Sequence, residues 1–173
     1  MSRTVLLVDD DAHVREALAQ TLELADVDVI AAGSFVASKD QITAGFDGII
    51  LSDMRMPGRD GFHLLQYAHD QDPDLPVILL TGEGDIPMAV RAMEAGAFDF
   101  LEKPIPAQTL LQTVNIALQQ STIDDFLQGK ELTKTERIIL RLILQSRSNK
   151  QIAGILHRSI RTIEDHRARK STR

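Results

Sequence analysis

The chain has 173 residues, 43% of them hydrophobic, with no cysteine and a formal net charge of −6; this suits one large or two small domains and excludes a disulfide framework, cysteine-ligated zinc and thiol catalysis. No apolar run reaches the length of a membrane span, and Met1-Ser2-Arg3-Thr4 passes directly into a strand-like run, so the start reads as having no signal peptide and the whole as suited to the cytoplasm. The charge is divided, with 7 Lys+Arg against 19 Asp+Glu in residues 1–120 (−12) and 12 against 6 in residues 121–173 (+6). Opposite signs predict two domains, the first suited to a cation and the second to a polyanion. An acidic face that only keeps a protein soluble, or a basic one that is only a solvated helix, would show the same totals.

Thr4–Val8 is a continuous apolar run of the kind buried on both faces of a parallel sheet, and it ends in Asp9-Asp10-Asp11. A helix follows with Val14, Leu18, Leu22 and Ala25 on one face and Asp11 as its cap. Val27–Ala31 reads as a second strand, and Ser34 as the cap of a weaker helix to about Ala44. Gly48–Leu51 is the third strand, followed by a helix through Leu64, Leu65 and Ala68. Leu75–Leu80 is the fourth strand, ending in Thr81-Gly82; Asp85 can cap a helix through Met88, Val90, Met93 and Ala95 that Gly96 stops. Phe98–Leu101 is a short fifth strand before Glu102-Lys103-Pro104, and a last helix carries Leu110, Leu111, Val114 and Leu118. Five strand–helix units in about 120 residues predict an α/β fold with a doubly wound, five-stranded parallel sheet.

Asp53 stands just after the third strand, before the turn-forming pairs Pro57-Gly58 and Asp60-Gly61. A carboxylate there can coordinate Mg²⁺ or attack phosphorus; taken alone, it is more simply a strand-end cap. Asp9, Asp10, Asp53, Thr81 and Lys103, however, all fall at or just after carboxyl ends of strands, which a parallel sheet gathers on one edge. Three carboxylates repel one another unless a cation lies among them, and oxygen ligands with room for water suit Mg²⁺. Lys103 and the Thr81 hydroxyl would then stabilise the oxygens of a phosphoryl group accepted by Asp53. His13, His63 and His69 show no ligand spacing and read as surface or helix residues.

Over about residues 3–120 the sequence resembles the receiver domain of two-component response regulators. The resemblance rests on Val8-Asp9-Asp10, on Asp53-x-x-Met56-Pro57-x-x-Asp60-Gly61, on Thr81-Gly82, and on Lys103-Pro104 after Phe100. It implies phosphorylation of Asp53 by a sensor histidine kinase. It also implies Mg²⁺ (with Mn²⁺ as a substitute) held by Asp10, Asp53, the carbonyl of Arg55 and, through water, Asp9. Thr81 and Lys103 would contact the phosphoryl group, Thr81 and Phe100 would act as the switch, and the Lys103–Pro104 peptide would be cis. The family's variable positions over the site are Arg55 and Glu83, whose opposite charges would pair across the pocket and hinder hydrolysis. Dimerisation on phosphorylation through the face near Thr81 and Phe100, from a resting monomer, follows from the same resemblance; the expectation of no membrane partner rests on the apolar runs being too short to span one.

Residues 121–131 are polar and read as a linker. Thr133-x-x-Glu136 and Ser148-x-x-Gln151 have capping-box spacing, and Ser159 can cap a further helix. Three short helices with a basic surface, over 132–173, fit a helix-turn-helix or a small protein-binding bundle. The wording resembles the LuxR/FixJ-type DNA-binding domain: Leu132-Thr133-x-x-Glu136-Arg137, Ser148-Asn149-Lys150-x-Ile152-Ala153 and Ser159-x-x-Thr162-Ile163-Glu164-x-His166. The resemblance implies that double-stranded DNA is read by Glu164, Asp165 and Ala168. Lys150, Ser159, Thr162 and Arg167 would contact phosphate, with Arg161 and Arg169 beside them. His157 and Arg158 depart from the pattern at the turn, and the family's fourth helix has no counterpart before Arg173. An alternative from another class is a haloacid-dehalogenase-like phosphatase with Asp9 as nucleophile in Asp9-x-Asp11, followed by Thr81 and a lysine; it leaves the Asp53-to-Gly61 motif unexplained.

Overall fold

In the computed structural model, residues 3–82, 86–119 and 150–151 are described. Their centre is a five-stranded parallel sheet of order β2-β1-β3-β4-β5, from β1 (Thr4–Val8), β2 (Asp28–Ala32), β3 (Gly48–Asp53), β4 (Val77–Thr81) and β5 (Asp99–Glu102). This is the flavodoxin-like order, in which the chain winds one way from β1 to β2 and the other way from β1 to β3, leaving a crevice at the carboxyl ends of β1 and β3. The register places Val8 opposite Ser52 and Asp53 opposite Leu80, so the strand ends line up along one edge.

Helices α1 (Ala12–Glu23), α2 (Phe35–Ser38), α3 (Gly61–Gln71), α4 (Ile86–Glu94) and α5 (Ala107–Leu118) cover the sheet. Alternate residues along each strand feed two cores. On one side Leu6, Val8, Ile50 and Leu79 pack with Leu64, Leu65, Ala92 and Met93 of α3 and α4. On the other, Val5, Leu7, Ile49, Leu51, Ile78 and Leu80 pack with Leu18 and Leu22 of α1 and Leu110 and Val114 of α5. Val77 to Leu80 are wholly buried, as expected for a central strand covered on both faces.

Several element ends differ from the sequence reading. Strand β2 begins at Asp28 rather than Val27, and β4 at Val77 rather than Leu75; Pro76 has no N–H for the ladder and contributes its carbonyl, which accepts from Ile50 N. The helix after Ser34 stops as an α turn at Ser38 and, after one 3₁₀ turn over Lys39–Gln41, ends short of Ala44. Ser38 is buried with its hydroxyl donating to Phe35 O, a bond that competes with helix propagation, and the chain then turns to bury Ile42. Ala25 and Ala95 fall in turns just past α1 and α4, the latter helix closed by Gly96 at φ +99°. The capping role read for Asp85 lies outside the described residues.

Candidate phosphoacceptor site

The edge above β1 and β3 is built from four short segments. Asp9 follows β1 directly; its N–H donates to Ala32 O of β2, and its Oδ1 accepts from Asp11 N at 2.9 Å. The carboxylate is wholly buried and is held from the other side by Lys103 Nζ, 2.8 Å from Oδ2. Asp10, next in the chain, is exposed. Asp53 is the last residue of β3, 8% exposed, with Oδ1 3.1 Å from Lys103 Nζ. One carboxylate oxygen from each of Asp9, Asp10 and Asp53 can be chosen so that all three lie within 4.8 Å of one another. Lys103 is placed by its own backbone, whose N–H donates to Thr81 O, and the Lys103–Pro104 peptide is cis.

The electrostatics follow from burial. Desolvation raises the Asp53 carboxyl above the ordinary aspartate value, and the Asp9 and Asp10 charges push the same way against the pull of Lys103. Burial works against the Lys103 ammonium, yet its bonds to Asp9 and Asp53 outweigh that and hold its pKa above the ordinary lysine value. Three oxygen-bearing anions face one ammonium. This donor set fits a hard divalent cation such as Mg²⁺.

The turn behind Asp53 is tight. Met54 N donates to Leu80 O and Gly61 N to Met54 O, so α3 starts directly on the backbone of the residue after Asp53. Asp60 caps that helix, its Oδ1 accepting from His63 N at 3.1 Å and facing His63 Nδ1 at 2.8 Å. Met54 and Met56 are buried beneath the loop, and Gly58 takes φ +83°. Thr81, 2% exposed, points its hydroxyl at Leu101 O over 3.5 Å, a long bond that a better acceptor would displace. Phe100 is half buried on β5 against the α3–α4 core.

The sheet edge thus gathers Asp9, Asp10, Asp53 and Lys103, and sets Thr81 beside them on β4. Arg55 is exposed in the loop that follows Asp53, while its suggested partner Glu83 lies outside the described residues. Of the residues read as contacting DNA, Lys150 is helical and exposed; Ser159, Arg161, Thr162, Glu164, Asp165, Arg167, Ala168 and Arg169 lie outside the described residues, as do the linker and the turn containing His157 and Arg158. Arg15 and the close approach of Gly61 to Asp53 were not evident from the sequence. The only available sign of the first was a basic side chain in an acidic segment, six residues after Asp9. For the phosphatase alternative the arrangement is unfavourable: Asp11 is engaged in capping α1, its carboxylate accepting from His13 N and Val14 N.

A flavodoxin-like sheet whose edge carries a buried carboxylate at the end of β3, two further acids and an ammonium defines a receiver domain. Residues 5–115 match the family of the response regulator receiver domain, and the chain belongs to that family. Residues 130–172 match the luxR family of bacterial regulatory proteins. Among relatives, the chain is 51% identical over 115 residues to the C4-dicarboxylate transport transcriptional regulatory protein DctD of Pseudomonas aeruginosa, across 66% of this chain and 25% of that protein. It therefore spans about a quarter of that relative's length. It is 34% identical to the transcriptional regulatory protein FixJ of Bradyrhizobium diazoefficiens over 98% of this chain and 87% of that protein. Among solved structures, full-length FixJ from B. japonicum matches with TM-score 0.65 at 35% identity, covering 98% of this chain and 88% of that one. The response regulator StyR matches with TM-score 0.62 at 36% identity, covering 96% and 88%.

Proposed function

We propose that this chain is the response regulator of a two-component phosphorelay: a sensor histidine kinase phosphorylates Asp53, and the phosphorylated receiver controls transcription through double-stranded DNA bound by residues 132–173. The observation that carries the reading is the buried Asp53 carboxylate, bridged by Lys103 to Asp9 with Asp10 alongside. A carboxylate so placed is a nucleophile toward phosphorus rather than a general base. As the bond from a phosphohistidine nitrogen to phosphorus breaks, the Asp53 oxygen takes up the phosphoryl group and the departing imidazole takes a proton. Lys103 offers its ammonium to the phosphoryl oxygens, and Thr81 can turn its hydroxyl from Leu101 O toward the same charge. Asp9, Asp10, Asp53 and the Arg55 carbonyl would hold Mg²⁺, which supplies the countercharge for the acids and the incoming group.

In this reading the chain turns over no separate substrate; it is phosphorylated and later loses the group by hydrolysis. The exchange of the Thr81 bond, with Phe100 on the neighbouring strand, shifts the receiver between two forms, a resting monomer and a phosphorylated homodimer. Lys150, Ser159, Arg161, Thr162, Arg167 and Arg169 then engage phosphates, and Glu164, Asp165 and Ala168 the base edges. The work is done in the cytoplasm, with no membrane partner; among the described residues no helix is long and apolar enough to cross a membrane.

The test is mass spectrometry of the intact chain after Mg²⁺ and acetyl phosphate, wild type beside Asp53→Asn. One phosphoryl adduct that the substitution abolishes is expected. An adduct that survives in Asp53→Asn would end the assignment of the acceptor, and steady phosphate release surviving the substitution would turn the reading to a phosphatase.

A further inference from the structure

The geometry points to Arg15 as a positioning residue for cation binding at Asp9, Asp10 and Asp53, acting through the single peptide that links Asp9 to Asp10. This rests on the reading of those three carboxylates as a cation site. The guanidinium of Arg15, on the first turn of α1, donates through Nη1 to the carbonyl oxygen of Asp9. That oxygen belongs to the Asp9–Asp10 peptide, and the two flanking Cα atoms carry two of the three clustered carboxylates. Fixing one peptide plane therefore orients both.

The two acids depend on this bond unequally. Asp9 is tied three further ways: its N–H to Ala32 O, its Oδ1 to Asp11 N and its Oδ2 to Lys103. Asp10 is exposed, and among the described residues its side chain has no hydrogen bond, so its direction follows from the backbone before it. Gly33, just past β2, flanks the guanidinium: an ideal Cβ there would stand 3.5 Å from Arg15 Nη1 and 3.8 Å from its Cζ, ordinary van der Waals distances. The planar guanidinium of Arg15 is pre-organised, so little conformational freedom is lost in forming the hydrogen bond.

Placement and charge act in opposite directions, which makes the inference testable. A positive group beside a cation site repels the ion, so if Arg15 acted only by charge its removal would tighten binding. If it acts by orienting Asp10, removal weakens binding, as loss of partners that orient metal ligands does, by about tenfold. A purely structural role would lower thermal stability and leave the affinity of the folded protein unchanged.

The measurement is Mn²⁺ binding to the full chain, read from loss of the free-ion electron paramagnetic resonance signal, for wild type, Arg15→Met and Asp10→Asn. Arg15→Met keeps the aliphatic stem and removes the donor; Arg15→Gln, shorter but polar, replaces it if Arg15→Met does not fold. Weakening of more than threefold in the Arg15 variant, at a temperature where it is fully folded, is expected, with Asp10→Asn weaker still. A change of threefold or less, or tighter binding, overturns the role of Arg15 alone. Absence of Mn²⁺ binding in the wild type overturns the cation-site reading and the inference together.

Discussion

An ideal Cβ on Gly61 would lie 2.7 Å from the carbonyl oxygen of Asp53 and 3.0 Å from Met54 Cα, both backbone atoms with no freedom to yield. The first residue of α3 therefore has to be glycine if the helix is to begin against the Asp53–Met54 peptide. Gly61→Ala should destabilise the receiver by about 1–3 kcal/mol, the cost of overpacking a tight contact, measured by urea unfolding. Gly58 differs: its constraint is the positive φ of +83°, and a Cβ there would meet nothing within 4 Å. The sequence showed both glycines as turn-formers, but only the contact distances distinguish a conformational need from a spatial one.

Among the elements, α3 depends on Asp60. The carboxylate accepts from His63 N and faces the His63 ring, and although desolvation acts against the charged form, these bonds hold the carboxyl below the ordinary aspartate value. A depressed folded pKa contributes stability that is present above the unfolded value, near 3.8, and is lost as pH falls through the folded one. Asp60→Ala should cost about 1 kcal/mol at pH 7 as a lost helix cap, and the difference from wild type should shrink below pH 4. Thermal unfolding of both proteins across that range checks the sign; a difference that grows on acidification would contradict it. Capping at this position was readable only as a turn signal, because Asp60-Gly61 serves the turn and the helix start at once.

At the scale of the whole molecule, the receiver carries a charge conflict that a bound cation would resolve. Asp9, Asp10 and Asp53 converge while Lys103 supplies one opposing charge. A saturating divalent ion should raise the unfolding midpoint of the receiver, an excess of about 100 times its dissociation constant adding about 2.7 kcal/mol. Asp53→Asn removes a carboxylate whose ionisation the fold disfavours, so in chelator it should be at least as stable as wild type. The same substitution should abolish most of the gain from Mg²⁺. A variant less stable than wild type in chelator, with the Mg²⁺ response intact, would place the conflict elsewhere. The arrangement also suits a switch, because a site that is unfavourable when empty passes the energy of filling it to the elements that form its walls.

What the sequence determined by itself was the class of fold and the cast of the site. Continuous, β-favouring apolar runs such as Thr4–Val8 and Val77–Leu80 fit strands buried on both faces, and placing polar residues at their carboxyl ends makes a shared edge unavoidable once the strands are parallel. The ends of elements were less legible, because periodicity does not mark the hydrogen bonds that decide them: Pro76 gives its carbonyl to Ile50 on another strand, and the buried Ser38 turns its hydroxyl back to Phe35 within its own turn. Tertiary structure alone decided which groups touch. Lys103 lies 94 positions after Asp9 and yet bridges it to Asp53, and Arg15 reaches a main-chain oxygen that no spacing rule marks as its target. Periodicity records which face of an element is buried, whereas the meeting of two particular atoms depends on how the whole sheet twists and where every helix rests upon it.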